Sequence, residues 1–178
     1  MRKRRFYYLL MKNEREYGLA RAASIVDFTF GKEAVPVTIP EGLFFSIESD
    51  KKFAPFEYTD TRASLVNEEL KQLIKDYIPS DFPLEFIPMK IRSDAGEERQ
   101  YYLLHFTKIF DVIDVEHSKC IAPGDITVPT ICYEKAKDLD FFNSIARYDG
   151  FIVSDRLMKE MKKRHLNGGL QFWEWKSM

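Results

Sequence analysis

Residues 65–70 read Leu-Val-Asn-Glu-Glu-Leu and residues 152–157 read Ile-Val-Ser-Asp-Arg-Leu. In both, an apolar pair is followed by a small polar residue, an acid, a charged residue and a leucine. A side-chain oxygen at Asn67 or Ser154 suits the N-cap of a helix, and the acid after it complements the positive end of the helix dipole. Behind Asn67, Leu70, Leu73, Ile74, Tyr77 and Ile78 recur on one helical face until Pro79 stops it. Behind Ser154, a second helix is predicted from Asp155 to about His165. Lys162, Lys163 and Arg164 suit its negative end, and Asn167-Gly168-Gly169 terminates it.

Working outward, each helix is followed by a similar strand opening, Leu84-Glu85-Phe86 and Leu170-Gln171-Phe172, and preceded by Tyr-Tyr-Leu-Leu, at residues 7–10 and 101–104. Apolar and β-branched runs predict strands over 5–11, 25–30, 35–39, 43–47, 84–92, 100–108, 127–133 and 170–175. Pro88 argues for an edge or a bulge in its strand. The turn Asp94-Ala95-Gly96-Glu97 joins 84–92 and 100–108 as a hairpin. Residues 13–17 and 49–60 read as loops, and 135–145 as a charged, helical stretch. The expectation is a single α+β domain over residues 1–178, mainly an antiparallel sheet with two principal helices, with halves 5–93 and 99–176. Two readings of the likeness stay open: a duplicated strand-helix-strand unit, or the ordinary similarity of capped helices in an aromatic-rich chain. Two copies do not make a solenoid, which needs at least three.

An apolar fraction of 45% with 15 Phe and 9 Tyr provides a core that a disordered chain lacks. A net charge of −1 argues against general attraction to nucleic acid or acidic lipid. The one basic run, Arg2 to Arg5, lacks interleaved stacking aromatics elsewhere. Phe6 to Met11 is too short for a signal-peptide core before Lys12, and no stretch approaches the ~20 apolar residues of a membrane helix. Two cysteines, Cys120 and Cys132, suit a reducing cytoplasm and read as small buried hydrophobes.

The search for chemistry returns one acidic cluster: Asp111, Asp114 and Glu116 with His117, the basis for reading the chain as a small enzyme. Cys120 adds no metal-ligand spacing to it. No Gly-x-Ser-x-Gly elbow surrounds any serine, and the one glycine pair follows a helix, so it cannot open a phosphate loop. Trp173 and Trp175 share one face of the last strand, as core or as interface anchors.

Four segments together, 86–90 (Phe-Ile-Pro-Met-Lys), 111–118 (Asp-Val-Ile-Asp-Val-Glu-His-Ser), 152–157 and 169–172 (Gly-Leu-Gln-Phe), resemble the bacterial immunity-protein family found beside polymorphic toxins, formerly a domain of unknown function. The resemblance runs from about Leu65 to Phe172. It implies no turnover, no cofactor, no metal and a cognate toxin protein as partner, with neither nucleic acid nor membrane. The motif residues Asp111, Asp114, Ser118, Ser154, Leu157, Gly169 and Phe172 are then structural: Ser154 as a cap, Gly169 after a helix, Phe172 in the core, Asp114 and Ser118 in a hydrogen-bond network. Asn67 stands where a first-copy serine is expected, and His117 where a basic chain is more usual. The partner-facing surface is assigned to the less regular segments, 49–60 and 134–150. A regulatory protein-binding module is the remaining alternative.

Overall fold

In the computed structural model, which describes residues 3–12, 16–23, 36–61, 63–122, 125–144 and 147–178, two mixed sheets turn one face each toward a core shared with two helices. The strands β1 (Phe6–Met11), β2 (Arg21–Ala22), β3 (Phe45–Ile47), β4 (Phe56–Tyr58) and β5 (Ser64–Val66) lead to helix α1 (Glu68–Lys75), then β6 (Leu84–Ser93) and β7 (Glu98–Phe106). A separate hairpin, β8 (Lys119–Ala122) and β9 (Asp125–Val128), comes next. After it lie β10 (Thr130–Ile131), α2 (Tyr133–Ala136), β11 (Phe141–Ser144), β12 (Arg147–Ser154), α3 (Asp155–Lys163) and β13 (Leu170–Ser177).

Both principal helices start where their caps place them. Asn67 Oδ1 accepts the Leu70 N–H at 2.9 Å, and Ser154 Oγ accepts the Leu157 N–H at 3.2 Å. Helix α1 ends at Asp76, one turn sooner than the apolar spacing suggests, and Tyr77 and Ile78 pack half-buried against the same core from beyond it. Helix α3 corrects the expected stop signal. His165, not a glycine, takes the left-handed conformation (φ 58°), with the Leu166 N–H on the Met161 carbonyl at 2.8 Å and the His165 N–H on that of Lys162. Leu166 and Met161 are both core residues, so the apolar contact that accompanies this cap is present. Gly169 (φ 74°) makes the next turn, into β13.

The sheet orders are β10-β13-β1-β12-β11 and β2-β3-β6-β7-β5-β4. Strand pairs β3–β6 and β10–β13 are parallel and the other pairs antiparallel, so both large sheets are mixed. Set side by side, five strands of each sheet correspond in order and in register. Phe56 pairs with Val66 beside one cap, and Phe141 with Val153 beside the other. Val66 then faces Tyr102, and Val153 faces Tyr7. Leu84 faces Phe106, and Leu170 faces Met11. At the outer parallel strand Phe45 meets Ile91, and Ile131 meets Ser177. The two Tyr-Tyr-Leu-Leu strands are the central members, but exchanged relative to chain order. Strand β7 lies between the strands flanking α1, whereas β1, from the start of the chain, lies between those flanking α3. The sheets therefore do not coincide with the contiguous halves 5–93 and 99–176.

One core holds Leu70, Leu73 and Ile74 of α1, Leu157, Met158 and Met161 of α3, and the inner faces of both sheets, with Phe106, Phe141 and Phe151 stacked at its centre. The outer face of the first sheet is covered by Val112, Ile113 and Ala136, and that of the second by Ala20 and partly buried residues such as Phe53.

Several expected elements change. Residues 36–40 carry no strand, and the strand expected over 25–30 lies outside the described residues. The loop expected over 49–60 contains β4, which buries Phe56 and Glu57. The helical stretch over 135–145 is one short turn, α2, followed by the buried strand β11. The strand over 127–133 is broken between β9 and β10. The misreadings at β4 and β11 share a cause: short strands buried along their length show no alternation. Pro88 sits in an inner strand, yet β3 reaches only Ile91–Ser93, so among the described residues Pro88 has a ladder partner, Tyr102, on one side alone. Trp175 is buried and stacks on Tyr8 with ring centroids 5.0 Å apart, whereas Trp173 is 43% exposed.

Candidate functional site

The acidic cluster does not converge. Asp111 is exposed and pairs with Lys135 at 2.7 Å, Glu116 is exposed, and Asp114 turns to His117, its Oδ2 2.8 Å from Nδ1 and its Oδ1 accepting the His117 N–H at 3.2 Å. The Asp114 carboxyl lies below its ordinary value; partial desolvation opposes the shift, and the His117 hydrogen bonds outweigh it. Ser118 is committed to structure. Its hydroxyl donates to the Asp114 carbonyl at 2.6 Å and accepts the Thr130 N–H at 2.8 Å. Thr130 Oγ1 in turn donates to the His117 carbonyl at 2.9 Å, and the Asp114 N–H bonds the Thr130 carbonyl at 2.8 Å. The hydroxyl of Ser118 and the Nδ1 of His117 are thus each turned to Asp114, not to one another as in the nucleophile–base pair of acyl transfer. What the arrangement does is staple the 114–118 turn to the start of β10.

A second polar node lies at the start of α3. Asp140, almost fully buried, receives the Ser154 hydroxyl, Arg156 at 2.9 Å and Arg4 at 3.6 Å. Ser154 thus caps the helix and anchors a buried carboxylate with one hydroxyl. Two other described members of the basic run are also engaged: Arg5 pairs with Glu174 at 3.4 Å, and Lys3 lies over the Tyr133 ring. Of the other motif residues, Leu157 is fully buried, Gly169 turns the chain, and Phe172 is half-buried under Lys162.

An open polar hollow of about 280 Å³ lies between the ends of β1 and α3, lined by Lys12, Tyr17, His165, Asn167, Gly168 and Gly169. A Cβ on Gly168 would come within 2.7 Å of the Tyr17 hydroxyl, so a larger residue there would displace the Tyr17 ring. None of Asp111, Asp114, Glu116 or His117 lines it. Among the described residues, no three His, Cys, Asp or Glu are grouped to hold a metal ion, and no helix is long and apolar enough to cross a membrane. Cys132 is half-buried, but Cys120 is exposed on β8, contrary to its reading as a buried hydrophobe.

The two segments read as less regular are in part interior. Residues 54, 56, 57 and 59 are buried, as is all of β11, so 49–60 and 134–144 each contribute an interior strand beside exposed residues such as Asp50, Lys52, Glu134 and Asp138. Among the described residues, three of the seven exposed large apolar side chains lie on or beside the β8–β9 hairpin, Ile121 (80% exposed), Val115 (57%) and Val128 (42%), while Met11, Leu19, Trp173 and Met178 lie elsewhere. The hairpin's sequence signal, Pro123-Gly124 between two short β-prone runs, is an ordinary turn marker. Asp140 and Glu57 carry no sequence signal, since a buried acid and a solvated one look alike in a single chain.

A sequence model described as Immunity protein family (Imm11) matches residues 9–177, nearly the whole chain. No curated protein matches it.

Proposed function

The chain belongs to the immunity protein family, and on that membership we propose that it neutralises a cognate toxin by binding it, with no substrate turned over. The family match across residues 9–177 carries this reading. It is supported by the divergence of Asp111, Glu116 and the Asp114–His117 pair, and by Ser118 being occupied in bracing a turn. The place of action is the cytoplasm, where the free thiols Cys120 and Cys132 stay reduced. Co-expression with the toxin encoded by the adjacent gene tests the proposal. Growth should be restored and the two proteins should co-purify; persistent toxicity with no complex overturns the reading for that pair.

We also read the two sheets as copies of one five-stranded unit, mainly antiparallel, with a helix between its third strand and its returning strand. The matched registers beside Val66 and Val153 support this, with β1 supplying to the second unit what β7 supplies to the first.

A further inference from the structure

We propose that the β8–β9 hairpin is the arm by which this chain enters an apolar cleft of its toxin, an inference that rests on the immunity reading above. The two five-stranded units account for β3 to β7, β10 to β13 and β1. Residues 107–129 join the units; Ile113 bridges Ile131 of β10 as Ala22 of β2 pairs with Phe45 of β3, and beyond Ile113 the chain leaves both large sheets before it returns at β10. Inside this segment the chain forms a two-stranded sheet that, among the described residues, pairs with neither large sheet. Every residue of β8 is exposed, and Ile121, at 80%, is the most exposed large apolar side chain among the described residues. A four-residue hairpin has little stability of its own. Its base is nevertheless held by four bonds: Ser118 Oγ to the Asp114 carbonyl, Thr130 N–H to Ser118 Oγ, Thr130 Oγ1 to the His117 carbonyl, and Thr127 Oγ1 to the Lys119 carbonyl. The 111–118 motif is therefore the root of an arm, and its polar residues serve to aim apolar ones.

Charge and size select the occupant. The described hairpin strands carry one cation, Lys119, and one anion, Asp125, so neither an acidic membrane nor a strongly charged surface is favoured over a neutral one. From strand rise and spacing, one hairpin face covers on the order of 100–200 Å², far below the roughly 800 Å² per partner of a stable interface. Face-to-face pairing of two copies through the hairpin is therefore too small to hold a dimer. Insertion into a concave apolar site covers both faces and both edges at once, and makes the arm the buried centre of a larger contact.

The test is titration of the full chain, wild type and the double variant Ile121→Asp/Val128→Asp, against the purified toxin from the adjacent gene. Trp173→Ser serves as a variant of the exposed aromatic outside the hairpin. Thermal unfolding should be unchanged in the double variant, because both side chains already face solvent. The expected result is affinity about 100-fold weaker for the double variant and within about threefold of wild type for Trp173→Ser. A double variant that binds within threefold of wild type, or a loss confined to Trp173→Ser, overturns the arm while leaving the immunity reading intact. Absence of binding by the wild type overturns both.

Discussion

The two five-stranded units agree in strand order, helix placement and register, and they differ in what they bury at matched positions. Beside α1, Glu57 pairs with Leu65 in β5; at the matching place beside α3, Phe142 pairs with Ile152 in β12. Asn67 caps α1 from a half-buried position, whereas Ser154 caps α3 from full burial and also holds Asp140. The shared register is a matter of backbone and apolar shape. The buried acids differ between the units, and each has a local partner that makes its burial tolerable: the Ala54 N–H for Glu57, Ser154 and Arg156 for Asp140.

The largest effect expected from this contrast is at Glu57. Burial pushes its carboxyl from an ordinary 4.5 up to about 8, against the opposing hydrogen bond from the Ala54 N–H. The folded chain keeps a proton there that the unfolded chain releases. The stability this group contributes is therefore fully present below pH 4.5 and lost as pH rises through about 8. Glu57→Gln keeps an acceptor for Ala54 without the charge. Its stability against urea should match that of wild type near pH 4 and exceed it above pH 8, by about 5 kcal/mol at most. A difference independent of pH would show that the two units do not diverge electrostatically at this position.

The caps come next. Ser154→Ala removes a helix cap and a partner of buried Asp140 together and should cost about 2–3 kcal/mol, while Asn67→Ala loses a cap alone and should cost about 1 kcal/mol. Equal costs in chemical denaturation would show that Asp140 does not depend on Ser154. The smallest effect is at His165, whose left-handed backbone favours glycine: His165→Gly should raise stability by about 0.5–1 kcal/mol. A loss of stability would mean that the imidazole makes contacts worth more than the backbone relief.

The parts of this fold legible in the sequence were those written in local chemistry. Asn67 and Ser154 marked both helices, Asp94-Ala95-Gly96-Glu97 marked the hairpin of β6 and β7, and the paired tetrapeptides marked strands that prove equivalent. Their partnership was not legible. Nothing local says that β1 crosses to the far unit, because strand pairing over more than a hundred residues is decided by the whole core. Short buried strands such as β4 and β11 failed for the related reason that they lack alternation. As for the site, Asp114 and Ser118 are readable as a network, but the exposed arm that the network supports carries no local mark beyond Pro123-Gly124, which any turn could show.

The central claim is that the paired units form the scaffold and that recognition lies in the segment outside them. Amide hydrogen exchange of the chain, alone and with the toxin, tests it most directly. The account predicts new protection concentrated in residues 115–128, with the strands β1, β12 and β13 already protected and unchanged. Protection confined to α1, α3 or the sheets, with 115–128 exchanging as freely as before, would contradict it.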